Sequence, residues 1–111
     1  DYSVEFGFKP EFVNQNTKAK LVFEEPSKIS FKNGETMHSR IYGCPDMKSN
    51  FFKILHKPTG ASILISESEA PFRQAFFVCQ SGICPENFVR IDLAPGETMK
   101  WQRSYTLDVK K

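Results

Sequence analysis

The sequence predicts an all-β fold, an antiparallel β-sandwich of seven to nine short strands in one domain over residues 1–111. Three observations predict it. Apolar and polar residues alternate with a period of two along most of the chain, the signature of half-buried strands. Turn signals built on Gly and Pro recur between the alternating runs, at the spacing of a sandwich or barrel. Aromatic residues are plentiful, with eleven Phe, three Tyr and one Trp, and such side chains suit a pleated surface. No window of ten or more residues carries a helical stripe.

Taken in order, Val4, Phe6 and Phe8 share one face of a first strand that Pro10 ends. Leu21 and Phe23 share a face of a second, ended by Pro26. Ile29 and Phe31 follow, then a turn at Asn33-Gly34, then a strand carrying Met37, Ser39 and Ile41 as far as Gly43. After Pro45, residues 44–50 have room for one helical turn. Phe51–Lys57 and Ala61–Ser66 flank Pro58-Thr59-Gly60 and read as a hairpin, because Pro presets φ at a turn and Gly accepts positive φ. A polar loop, Ser66–Pro71, precedes a strand from Arg73 to Cys79 centred on Phe76-Phe77-Val78. Asn87 to Leu93 is the next expected strand, with Val89, Ile91 and Leu93 on one face. Ala94–Glu97 is a turn. The last strand places Met99, Trp101 and Tyr105 on one face, extended by Leu107 and Val109.

A length of 111 residues matches one domain, since domains of about 100–150 residues are the commonest. Fifteen basic and thirteen acidic side chains give a net charge of +2 and are interspersed. That pattern describes an ordinary surface rather than a nucleic-acid-binding stripe. No apolar run approaches the roughly 18 residues of a membrane helix. The three cysteines are Cys44, Cys79 and Cys84. A disulfide between Cys79 and Cys84 would close a short loop, although Cys44 could pair with either. Such a bond implies an oxidising compartment, so a secreted or periplasmic location is expected. A chain beginning at Asp1 is consistent with a removed signal peptide.

Two segments echo one another: Ile29–Met37 and Ile91–Met99 both run apolar, any residue, apolar, through a turn into Gly-Glu-Thr-Met. Similar strand–turn–strand chemistry arising twice accounts for this, because the flanking residues differ. The run Ile91-Asp92-Leu93-Ala94-Pro95-Gly96-Glu97, leading into the Trp101 strand, resembles a segment of immunoglobulin-like domains. In size and pattern the chain is similar to the BsuPI-type proteinase inhibitor family over about a third of its length. The resemblance implies an immunoglobulin-like sandwich and, with it, inhibitory activity.

Motifs for catalysis are missing: there is no nucleophile elbow, phosphate loop or paired His-Glu motif. A small enzyme or a copper protein would have to assemble Cys44, His38 and His56 from distant positions. The expectation is therefore a non-enzymatic module with no cofactor and no metal. Its partner is expected to be another protein, a protease foremost, with no nucleic acid and no membrane span. An accessory or adhesion-type domain is the alternative. Two loops are candidates for binding. One contains Glu67, Glu69, Pro71, Phe72 and Arg73, with an arginine near its tip that a protease subsite could accept. The other is the Cys79–Cys84 loop.

Overall fold

The structure, a computed structural model, describes residues 2–17, 22–32, 36–79 and 82–109. These form ten strands: β1 (Tyr2–Phe6), β2 (Glu11–Thr17), β3 (Val22–Glu25), β4 (Lys28–Phe31), β5 (Met37–Tyr42), β6 (Phe51–His56), β7 (Ser62–Glu67), β8 (Arg73–Cys79), β9 (Gly82–Phe88) and β10 (Arg103–Asp108). They lie in two antiparallel sheets. One has six strands in the order β10-β7-β6-β1-β4-β3; the other has four in the order β2-β5-β8-β9. The sheets are not closed into a barrel, and the architecture is the expected all-β sandwich, with ten strands where seven to nine were expected.

Alternation explains the core. In β5, Met37, Ser39 and Ile41 point inward and are buried, while His38, Arg40 and Tyr42 are exposed. In β1, Val4 and Phe6 face the same interior, which Phe8 extends beyond the strand. Phe6 sits at its centre, with ring centroids 5.5 Å from Phe52, 6.0 Å from Phe12 and 6.2 Å from Phe76, all edge-on. Edge-to-face pairs at such distances add to the burial of each ring. The β6–β7 hairpin forms as read, with Leu55 opposite Ser62. Gly60 takes a φ of 74° in its turn, a left-handed conformation that costs glycine little.

Several expectations are corrected. Strand β2 was not foreseen: Glu11–Thr17 carries only Phe12 and Val13 as apolar residues, and pairing with β5 makes it a strand. The strand expected at Asn87–Leu93 lies earlier, at Gly82–Phe88; it is an edge strand, where Pro85 is tolerated because one side of the backbone needs no ladder partner. Residues 89–102 lie outside the strands, and β10 begins only at Arg103. Residues 44–50 turn without a helix, Ser49 N donating to Asp46 Oδ1 at 2.9 Å. The Ala94–Glu97 turn is present, closed by Glu97 N to Ala94 O at 3.0 Å. The two echoing segments differ in setting: the first joins β4 of one sheet to β5 of the other, whereas the second lies outside the strands. Asn33-Gly34 and Leu21 lie outside the described residues.

The expected disulfide is also corrected. No disulfide joins Cys79 and Cys84. Across β8 and β9, Cys84 faces Phe77 and Cys79 faces Gly82. The two cysteines are therefore diagonal neighbours, roughly 7–8 Å apart, beyond the Cα separation of about 4.4–6.8 Å that a disulfide spans.

Candidate functional site

The segment from Glu67 to Arg73 connects the two sheets and is fastened at both ends. Glu67, the last residue of β7, is buried. Its Oε1 accepts from Asn87 Nδ2 at 3.4 Å and from Arg103 Nε. Burial opposes the charge on Arg103, but its bonds to Glu67 and Tyr105 outweigh this and lift the guanidinium above its ordinary value. Gln74 Nε2 donates to Asn50 Oδ1 at 3.0 Å and to Asn87 Oδ1 at 2.7 Å, and Asn50 Nδ2 donates to the Glu69 carbonyl at 3.0 Å. Ser68 N meets Gln102 O at 2.8 Å, and Phe72 N meets Phe88 O at 2.8 Å. A polar network thus lies beneath the loop and sets its course. Glu67 belongs to that network rather than to the exposed surface, and Glu69 contributes its carbonyl to it.

The loop exposes Ser68, Ala70, Phe72 and Arg73, with Pro71 half-buried; Phe72 and Arg73 are its large exposed side chains. Phe72 is 58% exposed and Arg73 opens β8 on its outer face. The four-stranded sheet brings other residues to them. Gln74, Phe76 and Val78 of β8 point inward, so Arg73 and Phe77 point outward. Arg73 faces Phe88 across the β8–β9 pair. One step beyond the Ile41–Gln74 pair, Tyr42 comes beside Arg73, and the two border a shared cleft of about 270 Å³ with Cys44, Pro71 and Phe72. On the other side of Phe72 and Arg73, an open groove of about 460 Å³ is lined by Phe88, Val89, Arg90 and Ile91. Phe72 and Arg73 therefore form the wall between two depressions.

The electrostatics follow from the stacking. The Arg73 guanidinium lies 5.9 Å from the Phe88 ring centre, and that of Arg90 lies 5.4 Å from the Phe72 ring. Each cation meets the negative face of an aromatic ring. Among the described residues no carboxylate pairs with either arginine: Glu24 is paired with Lys28 and Lys57, and Glu67 with Arg103. Tyr42, Phe72, Phe77 and Phe88 are all exposed on this sheet or its rim. The outer face of a sandwich sheet is ordinarily polar, so three exposed rings beside two arginines, with Phe77 farther along the face, set this face apart. Sequence reasoning found Phe72 and Arg73 from their loop. It missed Tyr42, Phe77 and Phe88, which only the strand register gathers, and Arg90, which the segment after β9 brings over Phe72.

The residues weighed for metal or nucleophilic chemistry stand otherwise. His38 lies on the outer face of β5, edge-on to Phe77 with centroids 6.0 Å apart. His56 ends β6 in the other sheet, 4.9 Å from the Tyr2 ring, with Nδ1 2.7 Å from Thr59 Oγ1. The Cys44 thiol donates to the Asp46 carbonyl at 3.3 Å, and burial pushes it above its ordinary value, away from the thiolate that a nucleophile needs. Among the described residues no three His, Cys, Asp or Glu side chains group to hold a metal ion. No helix among them is long and apolar enough to cross a membrane. Compared with protein families, curated proteins and solved structures, the chain matches none.

Proposed function

We propose that the chain is a protein-binding module whose interface is the outer face of the four-stranded sheet together with the Pro71–Arg73 loop. The observation that carries this reading is the exposed cluster of Tyr42, Phe72 and Phe88 around two arginines that lie over aromatic rings, with Phe77 exposed farther along the same face. Interfaces are enriched in aromatic residues and arginine, and these residues dominate binding hot spots. The loop's anchoring supports the reading as well. A segment already held by Ser68, Glu69 and Phe72 has little conformational freedom left to lose on binding.

Inhibition of a peptidase is the sharpest form of this reading, with Arg73 and its flanking clefts as the contact surface. A panel of serine, cysteine and metallopeptidases tests it. The expected result is inhibition of at least one enzyme at low micromolar protein, weakened about tenfold or more by Arg73→Ala, the scale of a hot-spot residue. A panel in which no enzyme is inhibited discards the inhibitory form and leaves the face as that of an accessory or adhesion-type domain.

A further inference from the structure

The groove between Phe72 and Phe88 offers two positive groups that pair with no carboxylate among the described residues. Both arginines border it, each with its guanidinium carbon over the face of a ring. A cation–π contact uses none of the guanidinium's hydrogen-bond donors, and those donors match a carboxylate in bidentate fashion. The remaining walls are apolar, supplied by Val89, Ile91 and the two rings. We propose that this groove receives a segment of a partner protein in which an Asp or Glu side chain is flanked by apolar residues, the carboxylate held by Arg73 and Arg90 and the neighbouring side chains by Phe72, Phe88 and Ile91. The proposal rests on the protein-binding reading above and names the chemistry of its partner.

Charge complementarity selects a peptide carboxylate over a nucleic-acid backbone. A phosphodiester chain needs a continuous basic track along its length. Here Arg40 adds a further cation on the same face, but Glu86 on the adjoining strand, Glu11 on the far strand of the same sheet and Asp92 just beyond the groove break up any basic track. The net charge of the whole chain is only +2. One carboxylate between apolar neighbours fits this pattern; a string of phosphates would have to pass these acidic side chains.

Fluorescence polarisation with three labelled probes tests the proposal. They are a short C-terminally amidated peptide containing Leu-Glu-Phe, its Leu-Gln-Phe counterpart, and an oligothymidine strand. The Glu peptide is expected to bind about tenfold or more tighter than the Gln peptide, the difference made by charge-assisted hydrogen bonds. Added salt should narrow that gap. Arg73→Gln and Arg90→Gln should each bring the Glu peptide to the level of the Gln peptide, with unchanged thermal unfolding showing that both variants fold. Equal binding of the two peptides would overturn carboxylate recognition while leaving protein binding by this face intact. Binding of neither peptide would overturn the proposal, and the peptidase panel would then judge the broader reading alone. Tighter binding of the oligothymidine than of the Glu peptide would replace the peptide with nucleic acid.

Discussion

Strands β1 and β10 belong to one sheet and carry the same alternation, yet their inward side chains meet opposite fates. Val4 and Phe6 of β1 are 0% and 2% exposed, whereas Leu107 and Tyr105 of β10 are 73% and 57% exposed. The strand register ties the two directly. Val4, Ile54, Ile63 and Leu107 form one row across β1, β6, β7 and β10, and Phe6, Phe52, Ile65 and Tyr105 form the next. Along each row burial falls from complete to slight. The cause lies in the opposite layer: four strands cannot cover six. Alternation therefore specifies that a segment pairs as a strand and which side chains share a face. Whether that face is dry depends on what packs against it.

Four substitutions test this difference. Phe52→Ala, in the covered part of the second row, should cost about 3–5 kcal/mol in denaturant unfolding, the range for emptying a well-packed aromatic site. A cost near 1 kcal/mol would mean that the centre of the sandwich is loosely packed. Glu67→Gln acts at the border between covered and uncovered strands, where the carboxylate of β7 holds Arg103 of β10. It should cost about 1–3 kcal/mol, as expected when a hydrogen-bonded buried acceptor loses its charge. The companion variant Arg103→Gln should give a similar loss, and a loss for only one of them would separate the carboxylate's other bond, to Asn87, from the ion pair. Leu107→Ser, at the uncovered end, should change stability by no more than about 0.5 kcal/mol, as surface positions do. A loss well above 1 kcal/mol would show that a further layer covers β10 in solution.

The same contrast explains what could be read beforehand. Strands β5, β6, β7 and β8 were legible because their periodicity is regular and their turn residues are strong, as with Pro58-Thr59-Gly60. Strand β2 was hidden because Asn14-Gln15-Asn16 has no apolar alternation; pairing with β5 and the packing of Phe12 against the core place it at the sheet edge. Strand β9 was displaced because Gly82 and Pro85 read as turn residues, while Val89, Ile91 and Leu93 supply an alternation that no neighbouring strand uses. Of the proposed surface, Phe72 and Arg73 were visible in their loop. Tyr42 and Phe88 are far from them in the chain and nothing local marks them; the antiparallel register of β5, β8 and β9 makes them neighbours, and the segment after β9 brings Arg90 over Phe72. Glu67 was misplaced for the converse reason, since a Ser-Glu-Ser-Glu run reads as solvated while its first carboxylate turns inward to Asn87 and Arg103.

The pleat of β8 has a consequence for how this molecule can change over generations. Gln74, Phe76 and Val78 serve the interior, and Arg73 and Phe77, interleaved with them, face outward. A codon change at an outward position alters what the sheet presents without disturbing the packing one residue away. Duplicated copies of the gene could thus drift toward different partners while keeping one scaffold, and a laboratory library varied at Tyr42, Phe72, Arg73, Phe77 and Phe88 would explore new specificities from the same folded frame.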